Sequence, residues 1–162
     1  MEKNQQDLFI KTVLHNWDVT IKRVSKAFDG FSDAELSLEV APGKNRVVYL
    51  LGHLTATHDR MFTLLGLGER LYPHFDELFL TNPDKAGLEL PPVHEMRSYW
   101  TKINELLAER LQALQPEEWL QRHTAVSEED FAKEPHRNRL SVVLSRTGHV
   151  SYHAGQLALL KK

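Results

Sequence analysis

Four stretches of this chain place apolar residues three and four positions apart, and that spacing constrains the fold more than any other feature. Over about residues 5–29 the apolar positions are Leu8, Val13, Leu14, Trp17, Ile21, Val24 and Phe28, which lie on one face of an α-helix. A second helix is expected over about 46–65, with Val47, Leu50, Leu54, Met61 and Leu65 on one face. A third over about 92–114 carries Met96, Tyr99, Trp100, Ile103, Leu106, Leu107 and Leu111. A fourth occupies about 138–161 and opens on Asn138, a fair N-cap.

The segments between them carry turn chemistry. Gly30 stops the first helix, and Ser32-Asp33-Ala34-Glu35 has the spacing of a capping box and starts a short helical turn. Pro42-Gly43 marks a loop, and the LGLG run at 65–68 closes the second helix. Pro116 suits the first turn of a brief helix, and the residues from there to Asn138 otherwise read as irregular. The longest connection, 68–94, holds a short helix around 74–80 and turn signals at Asn82-Pro83-Asp84 and Pro91-Pro92. Connections of this length in compact domains are often functional.

No strand-like alternation of useful length competes with this pattern, and there is no repeat or interdomain linker. A chain of 162 residues is the size of one domain, and 8 Gly and 7 Pro suit a fold with few tight turns. The expectation is an all-α four-helix bundle with long connections, a single domain over residues 1–162.

Composition narrows the function. A net charge of −2 leaves no basic excess to neutralise phosphates, which counts against nucleic acid as a partner. With no cysteine, disulfides, thiol nucleophiles and thiolate metal sites are excluded. The opening residues lack the pattern of a signal peptide, and no apolar run approaches the length of a membrane span. A cytoplasmic protein with no membrane partner is therefore expected. Histidine stands out, with nine copies, because it binds metals and moves protons near neutral pH.

His149 and His153 are four residues apart on the fourth helix, about 40° apart around its axis and one turn along it. Such a pair converges on one ion in HExxH helices, but the intervening residues here are Val150, Ser151 and Tyr152, so the protease glutamate is missing. Spacing alone is weak, since about half a pair of this kind arises by chance from nine histidines. The helical wheel adds to it. Val142 and Leu160 share the line of the pair, and Leu140, Val143, Leu144, Val150, Ala154, Leu157 and Ala158 fill the adjoining arc. Histidines facing a core need hydrogen-bond partners or a metal; two satisfied core histidines are the alternative. A third ligand must come from elsewhere, and the second helix offers His53 and His58, about 140° apart and unsuited to one ion together. Periodicity does not choose between them.

The segment VVYLLGHLTATHDRMFTLLGLG, with its GHL, resembles the second helix of the DinB-like superfamily, and TGHVSYHAGQLALL resembles the last helix, with the HxxxHxGQ pattern. The resemblance covers almost the whole chain and implies a four-helix bundle, often a homodimer, with a divalent metal held by three histidines. At the family's positions stand His53, His149 and His153, none substituted. It says nothing for His58, His74 or His136. Three neutral imidazoles leave a coordination position open, as in catalytic sites. Zinc and nickel lead as the expected ion, with manganese and iron also accepting imidazole.

Gln156, one turn beyond His153, reads as a surface amide or an interhelical hydrogen bond ahead of a group orienting a ligand. Trp17, Tyr99 and Trp100 read as packing residues, Asp59 and Arg60 as solvated or intrahelical partners. His74, in the long connection, is a candidate acid or base above the metal. The resemblance implies a metal-dependent enzyme whose small-molecule substrate meets a low-molecular-weight thiol such as bacillithiol, mycothiol or glutathione, in transfer or isomerisation. A hydrolase acting through activated water, a non-enzymatic metal-binding or stress-associated module, and a plain helical dimerisation domain with core histidines are the alternatives. Catalytic residues beyond the ligands are not assigned by the sequence.

Overall fold

The computed structural model describes residues 3–160. The expected all-α architecture is present. Four long helices, α1 (Lys3–Asp29), α2 (Val47–Leu64), α3 (Val93–Ala113) and α5 (Arg139–Ala158), form the bundle. A short helix, α4 (Glu128–Lys133), and three single turns at Glu35–Ser37, Glu77–Thr81 and Pro116–Leu120 decorate the connections. Among the described residues the only β pairing is two isolated bridges, Glu39 with Arg46 and Arg122 with Asn138.

The most extensive pairings are α1 with α5 and α2 with α3, and smaller contacts join α2 to α5 and α1 to α3. Around the bundle the order is therefore α1, α5, α2, α3, which makes α2 and α5 direct neighbours. Trp17, Val24 and Phe28 of α1, Leu50, Leu54 and Met61 of α2, Ile103, Leu107 and Leu111 of α3, and Val143, Val150 and Leu157 of α5 are all buried. These are apolar-stripe residues, and their removal from water drives assembly of the bundle.

Three of the expected stripe residues, Leu8, Leu144 and Ala158, are exposed. Leu8 is 66% exposed and Leu144 is 45% exposed; in α1 the residue that turns inward near the start is Ile10. The α4 helix falls in a stretch read as irregular. Its signal is local: Ser127 Oγ accepts from the Asp130 backbone N–H at 3.1 Å, an N-cap that also donates to the Asp130 carboxylate. The capping box at the first connection forms as expected, with Ser32 N–H donating to Glu35 Oε2 at 2.8 Å and Glu35 N–H to Ser32 Oγ.

The connection after α2 is clamped to that helix at both ends. Gly66 takes the left-handed conformation, φ 66°, that ends α2. Just beyond it, Asp59, fully buried, accepts from the backbone N–H groups of Leu71 and Tyr72 and from Arg70 Nε. At the other end Asp84 accepts from the Arg46 backbone N–H at 2.7 Å and pairs with the Arg46 guanidinium at the start of α2. Asp59 is thus a buried tertiary anchor, not a solvated or intrahelical partner; Arg60 is solvent-exposed as expected and also pairs with Asp76 of the connection at 2.8 Å. Between the clamps the short helix expected around 74–80 appears as one wide turn at Glu77–Thr81.

Candidate metal centre

The clamped connection lies along α2, and Phe75 and Phe79 are its fully buried residues. Gly52, one residue before His53, makes this approach possible, because a Cβ there would overlap the Phe79 ring. The glycine of the GHL run therefore has a packing reason: it lets the Phe79 backbone come within reach of the next residue's ring. His53 Nδ1–H donates to the Phe79 carbonyl at 3.0 Å, and the same oxygen accepts from Tyr49 Oη at 3.2 Å. With Nδ1 carrying the proton, the lone pair of His53 is on Nε2, which points across to α5.

On α5 the same arrangement is built from within the helix. His153 Nδ1 lies 2.7 Å from Gln156 Oε1, which as an amide oxygen can only accept, so the ring's proton is again on Nδ1. Gln156 is thus a ring-orienting group for His153, a role that neither the surface-amide nor the interhelical reading anticipated; its i, i+3 spacing was the available signal. His149 Nε2 stands 3.1 Å from His53 Nε2 and 3.0 Å from His153 Nε2. His149 Nδ1 is buried without a hydrogen-bond partner among the described residues.

Three ring nitrogens lying within 4.8 Å of one another are hard to explain without a cation. Two of them present lone pairs by virtue of their Nδ1 bonds, and one proton on His149 can bridge to only one of those two. Protonating the rings is no remedy. Burial first, then the charges of His153, His53 and Arg146, holds His149 down to about 4. Burial likewise lowers His53 and His153 against their stabilising bonds to Phe79 and Gln156. Nitrogens on one tetrahedral ion with bonds of about 2.0–2.1 Å stand about 3.3 Å apart. The two separations from His149, 3.1 and 3.0 Å, are close to that, and the bonds that orient His53 and His153 match the outer-shell partners of metal-ligating histidines. The triad, with His153 buried and His53 and His149 half-buried, is compatible with a divalent metal, the donor set not fixing which one.

The remaining histidines are elsewhere. His58 is fully buried between the Trp17 and Trp100 rings, each with its centroid 5.1 Å away, and its Nδ1 lies 2.8 Å from Asn104 Oδ1. Its partners belong to α1 and α3, and it is not among the clustered histidines. His74 is exposed and edges against Tyr72 and Phe75; the structure does not bring it to the triad. It is the backbone of its segment, at Phe79, that reaches the site. His136 is exposed. Trp17 and Trp100 are buried packing residues as expected, and Tyr99 stacks on Tyr72 with centroids 4.3 Å apart.

No helix among the described residues is long and apolar enough to cross a membrane. Compared with known proteins, the chain finds no match among curated ones. Its match is to a family profile, that of the DinB superfamily, over residues 16–157. That span takes in the second half of α1, all of α2 and α3, and nearly all of α5 with the three clustered histidines. The fold, the two histidine-bearing segments and this match agree: the chain belongs to the DinB superfamily.

Proposed function

We propose that His53, His149 and His153 bind one divalent ion and that the protein is a metal-dependent enzyme acting on a small molecule. The observation that carries this reading is the convergence of three Nε2 atoms, two of them left with lone pairs by their Nδ1 bonds, with no group among the described residues to satisfy them all. A bound ion of this kind supplies a positive charge that lowers the pKa of a thiol or water toward neutrality. Three protein ligands leave room for such a group. The chain's own part is to hold the rings: Phe79 and Gln156 fix two of them.

The finer reading is transfer or isomerisation with a low-molecular-weight thiol such as bacillithiol, mycothiol or glutathione. Zinc or nickel leads, with manganese or iron next. The family resemblance supports it, as does the absence of any cysteine in the chain, which leaves the thiol to come from a small molecule. A homodimer in the cytoplasm belongs to the same proposal, with light scattering as its check. The direct test loads untagged protein with each metal and measures consumption of each thiol against a panel of electrophiles. Turnover that requires metal and disappears in His149→Ala supports the enzyme. Stoichiometric metal with no turnover, and a large chelator-induced fall in thermal stability, points instead to a metal-binding module.

A further inference from the structure

One turn before the triad, α5 carries a cation with no counter-ion among the described residues. Arg146 is half-buried, its Nε is buried without a hydrogen-bond partner, and no carboxylate among the described residues pairs with it. It lines a cavity of about 400 Å³ together with Arg60, Arg70, Asp76, Thr63 and Thr124. The other two arginines are committed. Arg60 pairs with Asp76, and Arg70 spans Asp76 and the buried Asp59. Three guanidinium groups thus share two carboxylates, and the surplus charge is on Arg146. Burial, then the Arg60 charge, pulls its pKa below the ordinary guanidinium value.

A guanidinium has five donors and no acceptor, and a buried donor left unpaired is costly enough to call for an explanation. Its position makes the cost larger, since a positive charge beside the triad opposes loading of a cation on the ring nitrogens. An oxyanion in the cavity removes both penalties. It accepts from the guanidinium fork, the arrangement in which arginine recognises carboxylate and phosphate, and it cancels the surplus charge. We propose that this cavity is a subsite for the carboxylate or phosphate of a small-molecule ligand, with Arg146 as its principal donor and Arg60 reinforcing it. Arg146 stands three positions before His149 on the helix, about 4.5 Å along the axis, so a small ligand anchored here reaches the triad. Its service to the metal centre rests on the function proposed above; the binding of an oxyanion does not.

The test is anion titration of metal-free full-length protein, with inorganic phosphate and with acetate, at constant ionic strength in chloride. The Nε–Hε resonance of Arg146, identified by its loss in Arg146→Lys, is followed by NMR, and the affinity is measured by calorimetry. A saturable shift is expected, and the stronger of the two anions identifies the group the ligand carries. Arg146→Gln is expected to weaken binding about ten- to a hundredfold, and Arg146→Lys, which keeps the charge, less than that. Binding that survives in His149→Ala while that variant loses metal separates this subsite from the metal reading. No saturable shift in the native protein, or equal affinity in folded Arg146→Gln and Arg146→Lys variants, overturns the proposal.

Discussion

The His53 Nδ1 and the Phe79 carbonyl oxygen stand 3.0 Å apart, joining a helix side chain to the backbone of the connection that follows its helix. The centre is therefore built by two helices and also by a segment that supplies no ligand. That segment is held by Asp59 and Asp84, one near each end of α2.

The first prediction concerns the glycine that permits this contact. Gly52→Ala adds helix propensity of about 1 kcal/mol, yet its Cβ overlaps the ring of the buried Phe79. Overpacking of this kind costs about 1–3 kcal/mol, so a net loss is expected in urea unfolding. Metal affinity, measured by competition with a chromophoric chelator, is expected to fall as the Phe79 carbonyl moves. Unchanged affinity with unchanged stability would show that Phe79 moves aside freely.

Gln156 is the second. Because its amide oxygen accepts from His153 at 2.7 Å, Gln156→Leu frees that ring to rotate and to change tautomer. Loss of such a partner lowers metal affinity about 10–100-fold. Unfolding of the metal-free protein should change by less than about 1 kcal/mol, since Gln156 is only partly buried. An equal fall in stability and affinity would make Gln156 a structural residue only.

Much of this was legible in the sequence, and the reasons are local. The α2 and α5 stripes, the capping box at Ser32 and the His149/His153 spacing are consequences of helical periodicity, which residue order displays directly. The choice of His53 over His58 was not readable from periodicity, because both adjoin apolar faces. It depends on the order of helices around the bundle, which turns His53 toward α5 and His58 toward α1 and α3. The tertiary role of Asp59 was equally hidden, since its partners at Arg70, Leu71 and Tyr72 lie past a chain reversal that glycine-rich residues announce without giving its direction.

Asp59 supplies the third prediction. Asp59→Asn halves the acceptor capacity facing two backbone N–H groups and leaves Arg70 short of a carboxylate in a buried setting. Breaking a buried pair costs about 3–5 kcal/mol, to be read from chemical denaturation. Metal affinity is expected to fall with it, because the connection carrying Phe79 loses one of its ties to α2. A loss below about 1 kcal/mol would mean that the Arg46–Asp84 clamp suffices.

The fourth concerns pH. Burial holds His58 down to about 3, only partly offset by its bond to Asn104, whereas in an unfolded chain it titrates near 6.5. Between those values the unfolded state binds a proton that the folded state refuses, so stability is complete above about pH 6.5 and falls as pH is lowered. From pH 7 to pH 5 the His58 share is about 2 kcal/mol. Denaturation of metal-free protein across that range should give a steeper pH dependence for native protein than for His58→Gln. Parallel curves would contradict it.

The most direct measurement is elemental analysis of untagged protein after equilibration with excess divalent metal and removal of the free ion, alongside His53→Ala, His149→Ala and His153→Ala. One ion per chain in the native protein and a loss of retained metal in each variant is the predicted result. Native protein that retains no ion, or variants that retain as much as it does, would contradict a metal centre at the seam of α2 and α5.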